Sequence, residues 1–291
     1  MTILLNEKTR VCLQGITGPM GRFQAEEMMR FGTNLGAGVS PGRGGETVAG
    51  VPVFDTMGRA VRETGAEMSI MFVAAARTKD AIFEAIDAGV KTVISVAEFM
   101  PVHDMLQIKQ RVRESGARLI GPNCAGLISP GKAKVGFYCE EVCLPGDIGV
   151  MSKSGTLSYA VLMELKRQGV GASTVVGVGG DEVKGTSFAD CLELFDADPE
   201  TRAMLIIGEV GGRDEERAAE YVASRKTGGK PVVAFVAGRT IPPGRAIGHA
   251  GAFVLGNKGN HESKIRALRE AGVHVAETIE ELPALLAGRC H

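Results

Sequence analysis

The chain has 291 residues, of which 44% are hydrophobic and 23% charged, and its formal net charge is −1 at pH 7. That balance describes an ordinary soluble globular protein and excludes a nucleic-acid partner held by bulk charge. No apolar run reaches the ~18 to 20 residues of a membrane span, and the length allows two domains of ordinary size. The start, "MTILLNEKTR", is too short and too charged for a signal peptide. Six cysteines are scattered through a chain too large to need staples, so reduced thiols and a cytoplasmic location are expected. Cys139 and Cys143 have loose metal-like spacing, but no second pair completes a site and no bound metal is expected.

In chain order, "TRVCLQGI" reads as an apolar strand, followed by a glycine-rich turn and the helix "QAEEMMRFG". "NLGAGVS" and "VPVFD" are short strands, and "AEMSIMFVAA" is a buried one. The helix "TKDAIFEAIDAG", the strand "KTVISVAE", the long helix "PVHDMLQIKQRVRESG" and the strand "ARLIGPN" complete the first half. Apolar strands alternating with periodic helices predict a parallel sheet covered on both faces. Residues 124–147 break the rhythm with two Pro-Gly pairs and no helical period, and are expected to be a connector.

The alternation restarts with "IGVMS" and a helix from Ser154 to Gly169. The strand "STVVGVGG", the helix "SFADCLELFDAD", the strand "AMLIIGEVGG", the helix "RDEERAAEYVASRK" and the strand "PVVAFVAG" follow. A loop containing His249, the helix "HESKIRALREAG", the strand "VHVAET" and the helix "IEELPALLAG" close the chain. The expected fold class is therefore α/β: a Rossmann-like domain over 1–123, then a flavodoxin-like domain over 148–291. Ligands of such sheets bind at the carboxyl ends of strands.

The 40 glycines cluster at those ends, at about twice the usual frequency of roughly 7%. "GITGPMG" follows the first strand and opens a helix, with GxxGxxG rather than GxGxxG spacing. The second strand lacks the acidic residue that would hold a ribose 2′-hydroxyl, and Arg43 stands nearby in "PGRGG". A basic residue there suits a phosphate, so the domain fits NADP or coenzyme A, the plain alternative being a tight turn without a ligand. In "SKSGTLSY", Ser154, Gly155 and Thr156 would present backbone N–H groups at a helix start, an anion site as much as an N-cap. Glu209 ends a buried strand, where orienting a histidine is one reason for a carboxylate. His249 lies in "GHAGAF", a loop made mostly of backbone, and no P-loop is present.

Taken in order, "GITGPMG", "PGRGG", "GPNCAG", "SKSGTLSY", "GVGGDEVKG", "GEVGG" and "GHAGAF" resemble the α subunit of succinyl-CoA synthetase over almost the whole chain. The resemblance implies a CoA-binding domain, a ligase domain, and a β partner whose ATP-grasp fold binds ATP or GTP with Mg2+. It also implies a small dicarboxylic acid as substrate and a phosphohistidine intermediate. By position, His249 matches the phosphorylated histidine and Glu209 the glutamate that holds it. Ser154, Gly155 and Thr156 match the phosphate-binding helix start, and Tyr159, Asn123, Cys124 and Ala125 the surroundings of the acid. Thr17, Gly18, Pro19 and Met20 match the CoA-binding turn. Arg43 stands where a lysine is usual, and Val96, Ala97 and Glu98 match a further CoA contact.

Three departures touch the substrate. Ala125 replaces the usual proline of "NCPG", "VGFYCEE" replaces a Gly-His segment, and Ala160 stands where a glutamate is common. The "NCAG" form resembles malate–CoA ligases, so malate is an alternative to succinate. An NADP-dependent dehydrogenase would use the first domain alone, and a non-catalytic CoA-binding regulator would use both domains without turnover.

Overall fold

The computed structural model describes residues 3–225, 229–240, 249, 251–252 and 259–288. The first half runs β1 (Val11–Gln14), α1 (Pro19–Phe31), β2 (Leu35–Val39), β3 (Thr47–Val48), β4 (Val51–Phe54), α2 (Met57–Thr64) and β5 (Met68–Met71). It continues through α3 (Ala75–Asp87), β6 (Thr92–Ser95), α4 (Val102–Ser115) and β7 (Arg118–Ile120). These strands form one sheet in the order β3-β4-β2-β1-β5-β6-β7, parallel except for the β3–β4 pair. Without β3, the order is that of the Rossmann fold.

Local chemistry explains the boundaries. α1 starts at Pro19, whose missing N–H is an orphan at that position anyway, and stops at Gly32, which takes φ 97°. It therefore begins five residues before the expected "QAEEMMRFG", because Pro19 sits inside the first turn rather than ahead of it. α2, which the sequence reading left unassigned, is capped by Thr56, whose side chain accepts from Arg59 N–H at 3.3 Å.

The second half contains β8 (Gly126–Ser129), β9 (Ala133–Gly136), β10 (Pro145–Ser152), α5 (Gly155–Arg167), β11 (Ala172–Gly177), α6 (Phe188–Ala197) and β12 (Ala203–Glu209). Then come α7 (Asp214–Ser224), β13 (Val232–Ala237), α8 (His261–Glu270), β14 (His274–Ala276) and α9 (Leu282–Ala287). The sheet order is β14-β13-β12-β10-β11-β8-β9. Its five parallel strands follow the flavodoxin-like order.

Residues 124–147, expected as a connector, instead carry two strands. β8 pairs antiparallel with β11 and β9 antiparallel with β8, so this segment extends the second sheet by two strands. Both are buried throughout. One apolar cluster runs through both halves, joining Leu13, Ile70 and Ile120 of the first sheet with Met151, Val176 and Ile206 of the second. No helix among the described residues is long and apolar enough to cross a membrane.

Candidate active site

β10 and β12 are neighbours, with Ser152 opposite Ile207. The strand after β10 lies on one side of this pair and the strand after β12 on the other, which makes the gap between their carboxyl ends the switch point of the sheet. The turn after β10 carries Ser154, and β12 ends on Glu209. Both residues therefore lie where such sheets bind ligands.

His249 meets Glu209 here. Its Nδ1 lies 3.0 Å from Glu209 Oε1 and 2.9 Å from Oε2, so both carboxylate oxygens face one ring nitrogen. The imidazole is 27% exposed and the carboxylate 14%, half-sheltered but reachable. The hydrogen bond to Glu209 raises the histidine above its usual 6.5 against the opposing effect of burial, and the charges of Glu209, Glu98 and Asp181 add to it. The Pro-Gly turn at 242–244 and the remaining residues of the "GHAGAF" loop, apart from Gly251 and Ala252, lie outside the described residues.

The ring packs on backbone. A Cβ built on Gly180 would stand 2.3 Å from His249 Cγ, so any side chain there would expel the imidazole. Gly180 O accepts from Gly251 N–H at 3.1 Å, and Gly180 N–H donates to Asn123 O at 3.1 Å. Asn123 in turn donates from Nδ2 to Asp181 Oδ1 at 3.0 Å, and its own N–H reaches Ala97 O at 2.8 Å. A hydrogen-bonded chain thus links the loop leaving β6, Asn123, the "GGD" tip and the histidine loop. Asp181 lies inside "GVGGDEVKG" and is absent from the residues expected from the sequence, where its signal is a carboxylate following two glycines at a strand end.

Ser154 is an N-cap, its Oγ accepting from Leu157 N–H at 3.2 Å. That bond satisfies one donor and leaves the N–H groups of Gly155 and Thr156 without intrahelical acceptors, as at any helix start. Thr156 is exposed and Gly155 partly so. Ala125 abuts this end, since a Cβ on Gly155 would meet its methyl at 3.4 Å. Cys124 is buried, its thiol donates to Ser95 O at 3.2 Å, and burial pushes it up to about 12. It is held as a neutral thiol. The Tyr159 hydroxyl donates to Phe137 O and its ring stacks on Tyr138, with centroids 6.0 Å apart. Tyr159 therefore fastens α5 to the residues just after β9 and commits its hydroxyl to protein.

In the first half, Gly18 N–H closes the turn on Gly15 O at 3.1 Å, and Thr17 Oγ1 bonds Ser40 Oγ at 2.9 Å. Pro19 and Met20 are exposed at the start of α1. Arg43 is exposed and forked onto Glu46, with Nη2 2.9 Å from Oε2. Val96, Ala97 and Glu98 leave the end of β6, and Glu98 is the one whose charge reaches His249. The two halves thus converge, with His249, Glu209, Asn123, Asp181 and Glu98 in one neighbourhood. Arg43 stands paired to a carboxylate, a contact the sequence did not reveal.

Two family models match the chain, a CoA binding domain over residues 6–99 and a CoA-ligase over 151–280. The succinate–CoA ligase [ADP-forming] subunit alpha 2 of Archaeoglobus fulgidus is 50% identical over 99% of this chain and 99% of its own. The corresponding subunit of Aquifex aeolicus is 48% identical over 95% of this chain and 91% of its own. Among solved structures, ATP citrate lyase from Methanothrix soehngenii, in complex with citrate and coenzyme A, superposes with a TM-score of 0.86 at 22% identity. That match covers 99% of this chain and 51% of the lyase chain. An acetyl-coenzyme A synthetase of Ca. Korarchaeum cryptofilum superposes at 0.75 and 18% identity, over 94% of this chain and 59% of its own. These structures share the fold, and the near-full-length identity to the curated relatives goes further: the chain belongs to the family of succinate–CoA ligase α subunits.

Proposed function

We propose that the chain is the α subunit of a nucleotide-dependent succinate–CoA ligase that works through a phosphohistidine at His249. The observation that carries this reading is the clasp of Nδ1 by both oxygens of Glu209. With Nδ1 committed, Nε2 is the ring nitrogen left to act as nucleophile, and the carboxylate compensates the charge that develops on the ring. Nε2 attacks the γ-phosphorus of ATP or GTP, held with Mg2+ on an ATP-grasp β partner, and the nucleoside diphosphate leaves. The phosphoryl group then passes to a carboxylate oxygen of succinate. The CoA thiolate attacks the resulting acyl phosphate at carbon, and inorganic phosphate departs.

The protein's share of this chemistry is positioning and charge. The N–H groups at the start of α5 lie at the switch point, where they would hold phosphoryl oxygens, and Ala125, whose methyl abuts them, would flank the acid. The turn Thr17–Met20 and the loop Val96–Glu98 would hold CoA, with Arg43 reaching a phosphate once Glu46 releases it. Residues 1–123 would form the CoA-binding unit and the remainder the ligase unit, β8 and β9 included.

The test is to incubate the αβ enzyme with radiolabelled ATP and map the modified peptide. The label should be acid-labile and base-stable, as a phosphoramidate is, and should map to His249. His249→Asn should bind CoA yet lose all net ligation. Label on Ser154, or undiminished turnover in His249→Asn, would end the proposal.

A further inference from the structure

Directly beneath Glu209 lies a cluster of six charged side chains, none more than 15% exposed: Lys153, Lys184, Lys264, Asp214, Glu215 and Glu216. Glu215 is at its centre and has no exposed surface. Its Oε1 lies 2.8 Å from Lys153 Nζ and accepts the backbone N–H of Glu209 at 3.1 Å. Its Oε2 pairs with Lys264 Nζ, which also reaches Gly212 O at 3.1 Å and Glu216 Oε2 at 3.1 Å. Lys184 Nζ lies 2.5 Å from Asp214 Oδ2.

The origins of these groups matter more than their number. Lys153 immediately precedes the phosphate-binding helix start, and Lys184 leaves the "GGD" tip that supports the His249 ring. Asp214, Glu215 and Glu216 open α7, just after Glu209, and Lys264 belongs to α8, the element that follows His249 in the chain. Acidic residues in the first turn of a helix commonly do no more than answer its dipole from the surface. Glu215 does something else, bending back six residues to hold the strand end that carries Glu209. Replacing buried ion pairs by apolar groups of similar volume is often neutral or stabilising, so stability alone gives no reason to bury six charges here.

We infer that Glu215 is a positioning residue for the phosphohistidine reaction, holding the Glu209 backbone and tying it through Lys153 and Lys264 to the helix start at Ser154 and to α8. The inference rests on the ligase reading above. Glu215 touches no substrate. It fixes where the Glu209 carboxylate stands relative to the phosphoryl oxygens, and small displacements of such groups are expensive in rate.

The experiment uses the αβ enzyme and follows phosphorylation of His249 by ATP in single turnovers, alongside thermal melting. The wild-type enzyme must first label on His249; if it does not, the ligase reading falls and this inference with it. With wild-type labelling established, Glu215→Leu, which removes the acceptor of the Glu209 N–H, should slow phosphorylation roughly 10- to 100-fold while leaving the KM values for ATP and CoA within about twofold. Because that variant leaves two buried lysines without their shared carboxylate, a second variant, Glu215→Leu with Lys264→Met, removes one charge of each sign. This double variant should regain most of the melting temperature and remain slow, and Glu215→Asp should recover part of the rate. Wild-type rates in the folded double variant would show that Glu215 only supports the fold, and would overturn the inference.

Discussion

A histidine that attacks phosphorus must be neutral, yet Glu209 works against neutrality by holding the imidazolium above its usual 6.5. Because the folded value is raised, the ion pair stabilises the protein fully below about 6.5 and loses that contribution as pH climbs through the raised value. On the proposed reading, the neutral nucleophile would appear over the same window. The acid limb of the phosphorylation profile should therefore have its midpoint above 6.5, and Glu209→Gln should move it down. The plateau rate should also fall roughly 10- to 100-fold, the usual cost of losing a carboxylate that orients a functional imidazole. A pH series of single-turnover labelling measures both effects, and an unmoved midpoint in Glu209→Gln would mean that the carboxylate does not set the charge of the ring. Arg43 makes a parallel case in the first half. Its fork is already occupied by Glu46, so a CoA phosphate bound there would have to compete with that carboxylate. Glu46→Ala should lower the dissociation constant for CoA and Arg43→Ala should raise it. Calorimetric titration separates the two, and a weaker CoA complex in Glu46→Ala would show that the pair acts as one unit.

At the scale of elements, the parallel strands are legible because each is a short apolar run closed by glycine or a polar residue, alternating with a periodic helix. β8 and β9 are not legible for a physical reason. Gly126 and Gly136 face each other across the pair, and a Cβ on Gly126 would stand 2.0 Å from Val135 O. Glycines required by close strand approach look, in a sequence, like the glycines of a loop. The clasp between His249 and Glu209 is legible through the order of the motifs, whereas the charged cluster under it is not. Lys153, Lys184, Glu215 and Lys264 carry no local sign of burial and read as surface charges until the fold brings four separate segments together. On the proposed reading, the start of α5 would carry two roles that can be pulled apart. Ser154→Ala removes a cap worth about 1 kcal/mol, a loss of roughly 2 °C in Tm for a chain of this size. The N–H groups of Gly155 and Thr156 survive the change, so phosphorylation should slow without being abolished. Complete loss of labelling in a folded Ser154→Ala enzyme would give the hydroxyl a direct part in the chemistry.

For the molecule as a whole, the buried cluster sets how the fold responds to acid. Although burial opposes it, the ammonium groups of Lys153 and Lys264 hold the Glu215 carboxyl below the ordinary carboxylate range, and Lys184 and Lys153 do the same for Asp214. Both folded values are depressed, so this stabilisation is present above about pH 4.5 and lost as pH falls through the lower, folded values. Melting curves from pH 7 down to 3 should show a fall below about pH 4.5 that is smaller in the charge-balanced double variant at Glu215 and Lys264, which keeps only the share of Asp214. On the proposed reading, the same molecule would divide the work with a partner subunit. Its sheets offer glycine-rich turns and a helix start suited to phosphates, but its sequence has no P-loop for a nucleoside triphosphate. The isolated chain should therefore bind CoA, seen as a rise in Tm that grows with ligand concentration, and should form no acyl-CoA from ATP and succinate. Adding the β partner should restore both labelling of His249 and ligation. Sustained ATP-dependent ligation by the purified chain alone would place the nucleotide site within these residues and would remove the need for a partner.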